Sequence, residues 1–136
     1  MPRIVFDTNV LVSGILRSGK VKTLVDAAVD GRIQLITSEE IIDEFSRVIK
    51  RPKFKLSKEQ QNIFVNFVAN LASVVETKSG FKVIKDDPAD NIILNCAFDG
   101  KADYIVSGDE HLLKLKNFRG IKIVSPKEMM EALRLD

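Results

Sequence analysis

The sequence predicts an α/β protein whose parallel sheet is covered by helices on both faces. Short apolar segments rich in β-branched residues alternate with longer segments in which apolar residues recur at helical spacing. This alternation is typical of βα units. Acidic side chains follow two of the short segments, and the carboxyl ends of parallel strands form the edge of the sheet where ligands bind. The pattern that predicts the fold therefore also predicts a site.

Composition limits the possible classes of protein. The 136 residues suit one domain, residues 1–136, and the content of 45% hydrophobic and 29% charged residues is that of a globular protein. The net charge of +2 is too small to indicate nucleic-acid binding by itself. One cysteine excludes an internal disulfide and agrees with a reducing compartment. Because no apolar run approaches the ~18 residues of a membrane span, we expect a cytoplasmic protein.

The first strand is predicted from the stretch Arg3–Leu11. A short apolar run leads into a carboxylate, a hydroxyl and an amide, namely Asp7, Thr8 and Asn9. Such a run suits a strand buried on both faces, so Asp7 falls where that strand ends. The alternative is that Asp7 or Thr8 only caps a helix beginning at Val10.

The first half of the chain continues with clear helix boundaries. Apolar residues at helical spacing predict a helix over 21–29, after which Ile33–Thr37 predicts a second strand. Ser38 is a good N-cap for a helix that Pro52 ends. Ser57, with Gln60 three residues later, opens the next helix.

The second half repeats the alternation. Ser73–Glu76 predicts a third strand, and Val83–Ile84 a short extension of the sheet. Pro88 fits the first position of a helix that Asp87 caps. The remaining expected elements are strands at Tyr104–Val106 and Ile121–Val124, a short helix after Asp109 and a final helix capped by Ser125.

Four acids are placed where they can converge. Asp7 and Asp109 follow strands one and four, while Glu44 and Asp90 lie on helices that flank these strands. Like charges ~4 Å apart cost a few kcal/mol at a protein-like dielectric, and a divalent ion removes that cost. Oxygen ligands favour Mg²⁺ or Mn²⁺ over zinc, and an acidic site for such an ion typically acts on phosphate esters.

Each acid also has a purely structural alternative. Glu44 could lie on a solvated helix face, although apolar neighbours on its helix place it near the core boundary. Asp90 could only complement a helix dipole, and Asp109 could only cap a helix. A zinc site is not expected, because the chain has one histidine and one thiol. Caps or surface acids are expected at Asp86, Asp87 and Asp103, with Asp87 best placed to support the site.

These motifs resemble those of PIN-domain ribonucleases. The resemblance covers essentially the whole chain and is nearest to VapC-like toxins of type II toxin–antitoxin modules. It implies a three-layer α/β/α sandwich with a five-stranded parallel sheet and an acidic pocket for Mg²⁺ or Mn²⁺. The segments that carry it, each weak alone but strong in this order, are the strand ending in Asp7-Thr8-Asn9, then Ser38–Phe45, Asp87–Asn91 and Ala102–Asp109, with a turn at Arg51–Phe54.

The resemblance also implies roles for individual residues. Asp7, Asp90 and Asp109 would hold one or two divalent ions, and Glu44 would orient or deprotonate the water that attacks RNA. The products would carry a 5′-phosphate and a 3′-hydroxyl. A homodimer and a cognate antitoxin protein are implied as partners. The residues that match supporting positions are Asn9, Ser107 and Asp87.

An acidic pocket needs positive charge nearby to attract RNA. The densest basic run lies around residues 47–58, with Phe54 available to stack on a base. The alternative is a solvated helix end whose cations complement the dipole. The basic residues expected to contact RNA are Lys50, Arg51, Lys53 and Lys55, flanked by Arg47 and Lys58.

Two further questions stay open. One alternative to the nuclease is a catalytically silent module that keeps the acidic pocket for metal or protein contact. A second concerns a stripe of apolar residues at helical spacing, which is expected to be core but would form a dimer or antitoxin surface if exposed. The stripe consists of Ile63, Phe64, Phe67, Val68 and Leu71.

Overall fold

The described residues form a six-stranded sheet, one strand more than the sequence predicts. The computed structural model describes residues 1–85 and 87–135, so Asp86, expected as a cap or surface acid, lies outside them. The order across the sheet is 3-2-1-4-6-5 when the strands are numbered along the chain. The strands are β1 (Arg3–Phe6), β2 (Gln34–Ser38), β3 (Ser73–Val75), β4 (Tyr104–Val106), β5 (Asn117–Phe118) and β6 (Ile121–Val124).

The additional strand is β5, which pairs antiparallel with β6, whereas the other pairs are parallel. The two strands are joined by Arg119 and Gly120, whose φ angles are +53° and +85°. Positive φ at both central residues is the geometry of a type I′ hairpin turn. The five predicted parallel strands are confirmed, and the sheet exceeds the prediction only by β5, whose two residues are too few to show an alternating pattern.

Seven helices connect and flank the strands within the described part of the chain. None of them is both long and apolar enough to cross a membrane. They are α1 (Thr8–Leu16), α2 (Lys20–Val29), α3 (Glu39–Ile49), α4 (Lys58–Leu71), α5 (Pro88–Asp99), α6 (Glu110–Leu113) and α7 (Pro126–Leu133), with a 3₁₀ turn at Pro52–Phe54.

The helices divide between the two faces of the sheet as the connections require. From β1 to β2 and on to β3 the chain moves in one direction, and α1 to α4 pack against one another along that path. From β3 the chain returns past β1 to β4, and α5 packs across β1, β2 and β4. Since parallel crossovers are right-handed, this reversal puts α5 on the opposite face. The result is the predicted α/β/α arrangement.

The strand β1 lies at the centre of the sheet and positions the site. It pairs with β2 on one side and β4 on the other, and Ile4, Val5 and Phe6 are fully buried. The connections from β1 and β4 then leave in opposite directions, so the carboxyl ends of these two strands form the topological switch point. Ligands of open α/β sheets bind at such a point.

The predicted helix caps are formed. The hydroxyl of Ser38 accepts a hydrogen bond from the backbone N–H of Ile41, and the Asp87 carboxylate accepts one from the N–H of Ala89. Ser57 with Gln60, and likewise Ser125 with Glu128, forms a reciprocal capping box. These local signals fix where α3, α4, α5 and α7 begin, because each cap satisfies an N–H group that has no partner inside the helix.

The expected sheet extension at Val83–Ile84 is wrong, because this segment pairs with a helix instead of a strand. The side chain of Asn91 accepts from the N–H of Ile84 at 2.9 Å and donates to its carbonyl at 2.6 Å. Asn95 does the same for the N–H and carbonyl of Phe81, at 2.8 and 3.2 Å. We call Asn91 and Asn95 the amide ladder of α5. It satisfies backbone groups that a strand would otherwise have to satisfy.

The apolar stripe of α4 is only partly core. Val68 is fully buried, and Phe64 and Leu71 are half-buried. Ile63 and Phe67 remain 57% and 40% exposed, so the expectation of core packing is wrong at these two positions. An apolar stripe that neighbouring elements cover completely and one that they cover only in part have the same helical period, so the sequence does not distinguish them.

Candidate active site

Asp7 connects the end of β1 to the start of α1. It is the N-cap of α1, with its Oδ1 accepting from the N–H of Val10 at 2.8 Å. Its Oδ2 accepts a hydrogen bond from the hydroxyl of Ser107. Asp7 is only 6% exposed. The capping role that the sequence offered as an alternative is therefore real, and it coexists with a position at the switch point.

Ser107 joins the ends of the two central strands. It follows β4 and is fully buried. While its hydroxyl donates to Asp7, the same oxygen accepts from the backbone N–H of Asp109 at 2.9 Å. The N–H of Asp7 in turn donates to the carbonyl of Val106 at 3.0 Å. These bonds hold Asp7 and Asp109 at one edge of the sheet, as the sequence predicts.

The carboxyl group of Asp7 is under electrostatic strain. Burial raises its pKa above the ordinary value of 3.8, and the hydrogen bonds from Ser107 and Val10 offset only part of that effect. The negative charges of Asp109 and Glu44 raise the pKa further. Ionised Asp7 is thus disfavoured in the metal-free protein, and a nearby cation would relieve it.

Asp90 carries the clearest sign of a missing positive charge. It is 6% exposed, and its Oδ2 has no hydrogen-bond partner within residues 1–85 and 87–135. Burial raises the pKa of Asp90 to about 7, helped by the negative charges of Asp109, Asp87 and Asp7. A buried, unpaired carboxylate oxygen among other acids is a group that a hard cation would satisfy.

Four side chains form a compact set of possible metal ligands. Asp87, Asp90, Asp109 and His111 each offer one atom, and these atoms lie within 4.8 Å of one another. Asp109 caps α6, accepting from the N–H of His111 at 2.7 Å, and the Nδ1 of His111 lies 3.6 Å from its Oδ1. Of the three ligands expected from the sequence, Asp90 and Asp109 belong to this set. Asp7 does not, although its charge acts on Asp90.

His111 is the residue that sequence reasoning missed. A single histidine with a single thiol does not predict a zinc site, and helical periodicity does not mark His111. The available signal was its place two residues after Asp109, where the backbone N–H that Asp109 caps belongs to His111 itself. The capping hydrogen bond therefore places the imidazole of His111 next to the carboxylate of Asp109.

Glu44 approaches from α3 and is held by Thr8. The hydroxyl of Thr8 donates to Glu44 Oε2 at 2.8 Å. Thr8 is buried and Glu44 is half-buried, so Glu44 does not lie on a solvated face. The charge of Glu44 raises the pKa of Asp7, which places the two carboxylates near each other. The role of Thr8 was not foreseen, since a hydroxyl after Asp7 also suits a helix cap.

The other predicted residues lie on the exposed surface. Asn9 is exposed on the first turn of α1. Within the basic run, Lys50 is the C-cap of α3 and lies six residues beyond Glu44, which corresponds to about 9 Å along a helix axis. Lys50, Arg51, Lys53 and Lys55 are all exposed. The ammonium group of Lys53 lies 5.1 Å from the ring centroid of half-buried Phe54.

Comparison with known proteins gives a family match and a likeness to a solved structure. The family model described as PIN domain matches residues 3–111. A chain in the crystal structure of VapBC2 from Rickettsia felis, bound to a DNA fragment from their promoter, superposes with a TM-score of 0.63. The alignment covers 90% of this chain and 98% of that chain at 13% identity, which is a likeness of fold. No curated protein sequence matches the chain.

Proposed function

The chain belongs to the PIN domain family, and from that premise we propose that it is a metal-dependent endoribonuclease that hydrolyses RNA phosphodiester bonds. The observation that carries the proposal is the buried, unpaired Oδ2 of Asp90 at the switch point of the sheet. Asp109 and Asp7 share that edge, so their carboxylates would hold Mg²⁺ or Mn²⁺ together with Asp90. Asp87 and His111 complete the set of side chains within reach.

A bound divalent ion would activate water and neutralise the charge that develops on the phosphate. Glu44 is the residue that we expect to act on that water. Its Oε2 is occupied by the Thr8 hydroxyl, which leaves Oε1 to orient the water and accept its proton. In-line attack at phosphorus then breaks the bond to the 3′ oxygen and leaves a 5′-phosphate and a 3′-hydroxyl.

The ligand set favours Mn²⁺ at least as much as Mg²⁺. Carboxylates suit both ions, but an imidazole such as that of His111 suits softer first-row metals better than Mg²⁺. Asp87, which the sequence assigned to a supporting position, lies in the same compact set. We therefore expect Mn²⁺ to support cleavage at lower concentration than Mg²⁺ does.

The decisive experiment incubates the purified protein with single-stranded and structured RNA in Mn²⁺, in Mg²⁺ or in EDTA. We expect cleavage with either ion and none with EDTA. Glu44→Gln should lower kcat by about 10²–10⁴-fold, the usual contribution of a general base, while Mn²⁺ still binds. Asp43→Asn, which changes an exposed neighbour on α3, is the control and should cleave normally. A wild-type protein that binds Mn²⁺ but leaves both RNAs intact would instead be a silent metal-binding module.

The basic run beyond α3 is proposed to contact RNA. Replacing Lys53 and Lys55 with Gln should weaken RNA binding and reduce the salt dependence of the binding constant by about 0.7 log units per lost phosphate contact. Lys122→Gln/Lys127→Gln is a matched control, because both of these lysines are exposed and lie away from α3. An unchanged salt slope in the Lys53/Lys55 variant would assign these residues to solubility alone.

A protein partner is proposed on two grounds. The R. felis fold relative was crystallised as VapBC2, which suggests the toxin component of a toxin–antitoxin pair. The exposed part of the α4 stripe, Ile63 and Phe67, borders a groove of about 260 Å³ whose other wall includes Val25 and Val29 of α2. Apolar surface of this kind is typical of an interface with an antitoxin or a second copy of the chain.

A further inference from the structure

We propose that the groove between α5 and residues 80–85 binds single-stranded RNA and leads it to the acidic cluster. The inference rests on the proposed nuclease function and concerns a surface separate from the basic run beyond α3. The groove has a volume of about 510 Å³. The charged side chains among its described lining residues are those of Lys82 and Lys85, whose sign is opposite to that of the neighbouring acids.

The amide ladder gives this groove a fixed shape. Because Asn91 and Asn95 hold the backbone at Ile84 and Phe81, those two side chains are turned inward, buried and half-buried respectively. Lys82 and Lys85 are left exposed on the outer side. A positively charged rim that is held by four hydrogen bonds to a helix needs little ordering when a ligand binds, which favours affinity.

One end of the groove meets the acids. Pro88, the first residue of α5, lines the groove, and it lies between Asp87 and Asp90 in the sequence. Lys85 precedes Asp87 by two residues. A strand whose phosphates contact Lys82 and Lys85 would therefore continue directly towards the carboxylates at the start of α5. The lysines offset the repulsion that an acidic pocket exerts on a polyanion.

The other end of the groove continues over a cluster of aromatic rings. Phe81 packs edge-on against Phe98 and Phe118, with ring centroids 4.9 and 5.2 Å apart. The guanidinium of Arg119 lies 5.0 Å from the centroid of Phe81. A second hollow of about 480 Å³ is lined by Phe98, Arg119 and Lys101. Phe98 remains 40% exposed, which leaves part of its ring available to stack on a base.

Asp99 also lines this second hollow and keeps its negative charge, but hydrogen bonds from neighbouring donors engage its carboxylate. The carboxylate of Asp99 accepts from the backbone N–H groups of Lys78 and Ser79 and from the Ser79 hydroxyl. Basic side chains and an aromatic ring thus run along α5, whose 12 residues span about 18 Å. That length accommodates roughly five phosphates at the ~3.4 Å spacing of a stacked strand. Basic grooves with a stacking platform are typical of single-strand binding.

The test measures binding of a fluorescein-labelled single-stranded oligoribonucleotide of mixed sequence by anisotropy, in EDTA and over a range of salt. Lys82→Gln/Lys85→Gln should weaken binding about tenfold and reduce the log–log salt slope by about 1.4. Phe98→Leu, which keeps an apolar side chain but removes the ring, should weaken binding about fivefold with an unchanged slope. Lys122→Gln/Lys127→Gln carries the same charge change and should behave like the wild-type protein.

The outcomes separate this inference from the proposed function. The proposal that this groove binds RNA would be overturned if the Lys82/Lys85 variant had the same affinity and salt slope as the Lys122/Lys127 control. This holds even if the wild-type protein cleaves RNA in Mn²⁺. A wild-type protein that fails to cleave in Mn²⁺ refutes the nuclease, whatever the lysines contribute to binding. Circular dichroism of each variant checks that its secondary structure is retained.

Discussion

Asp7→Asn is expected to abolish RNA cleavage while leaving the fold intact and at least as stable as the wild-type protein. Asparagine is as good an N-cap as aspartate. Its Oδ1 can still accept from the N–H of Val10, and its Nδ2 can donate to Ser107. The substitution removes the negative charge, which the proposed divalent ion would need and which burial disfavours in the metal-free fold.

The two consequences of this substitution have opposite signs. Loss of a carboxylate that we propose to help hold the ion should lower the cleavage rate by about 10³-fold, since the contribution of such an ion to the barrier is several kcal/mol. Stability should rise or stay equal, because burial and the charges of Asp109 and Glu44 raise the pKa of Asp7 and so oppose its ionised form. In EDTA at neutral pH, the Tm of the variant should therefore match or exceed that of the wild type.

The measurement pairs a cleavage assay in Mn²⁺ with thermal unfolding in EDTA. Asp30→Asn is the matched control, since Asp30 is an exposed residue after α2 and its replacement changes the net charge equally. Full activity of Asp7→Asn would remove Asp7 from the mechanism. A marked fall in Tm would instead show that its hydrogen bonds, and not its charge, dominate its contribution to the fold.

The second large effect is the pH dependence that Asp90 imposes on stability. Burial and the neighbouring acids raise its pKa to about 7 in the folded protein, against 3.8 ordinarily. Between these two values the unfolded chain has lost the proton and the folded chain has kept it. The folded state then binds more protons than the unfolded state, so the free energy of unfolding falls as pH rises from about 4 to 7. Above 7 this contribution stays constant.

The effect on stability has a definite direction: with its pKa raised from 3.8 to about 7, Asp90 should lower the free energy of unfolding of the metal-free protein at pH 7.5 relative to pH 4. Asp90→Asn removes the ionisation. We expect this variant to be more stable than the wild type at pH 7.5 and to converge with it towards pH 4.

Urea unfolding in EDTA at a series of pH values measures this difference, with Asp30→Asn as the control. Millimolar Mn²⁺ should then narrow the gap at pH 7.5, because it binds and stabilises the wild-type fold alone. Parallel pH profiles of the wild type and Asp90→Asn would mean that Asp90 is not the strained acid of the site.

The parts of the fold that the sequence predicts are those set by local chemistry. The caps at Ser38, Ser57, Asp87 and Ser125 each depend on residues within one turn, and all form as expected. The apolar run before Asp7 likewise has one stable solution, a strand covered on both faces. The convergence of Asp7 and Asp109 then followed from chain direction alone.

What the sequence could not predict depends on partners distant in the chain. Val83 and Ile84 have β-branched side chains, yet their segment pairs with Asn91 and Asn95 on a helix, and no pattern of apolar residues encodes that choice. The exposure of Phe67 depends on how far α2 reaches across α4. His111 lies beside the acids because Asp109, the N-cap of α6, accepts a hydrogen bond from the N–H of His111.

The short strands at the margins of the sheet have a consequence for self-association. β3 has three residues at one margin and β5 has two at the other, so each presents very few open backbone groups to another molecule. Short edge strands of this kind disfavour the edge-to-edge pairing of sheets that leads to fibres. Two copies of this chain would accordingly meet through the outer surfaces of helices, where mutation of side chains can tune or abolish their contact.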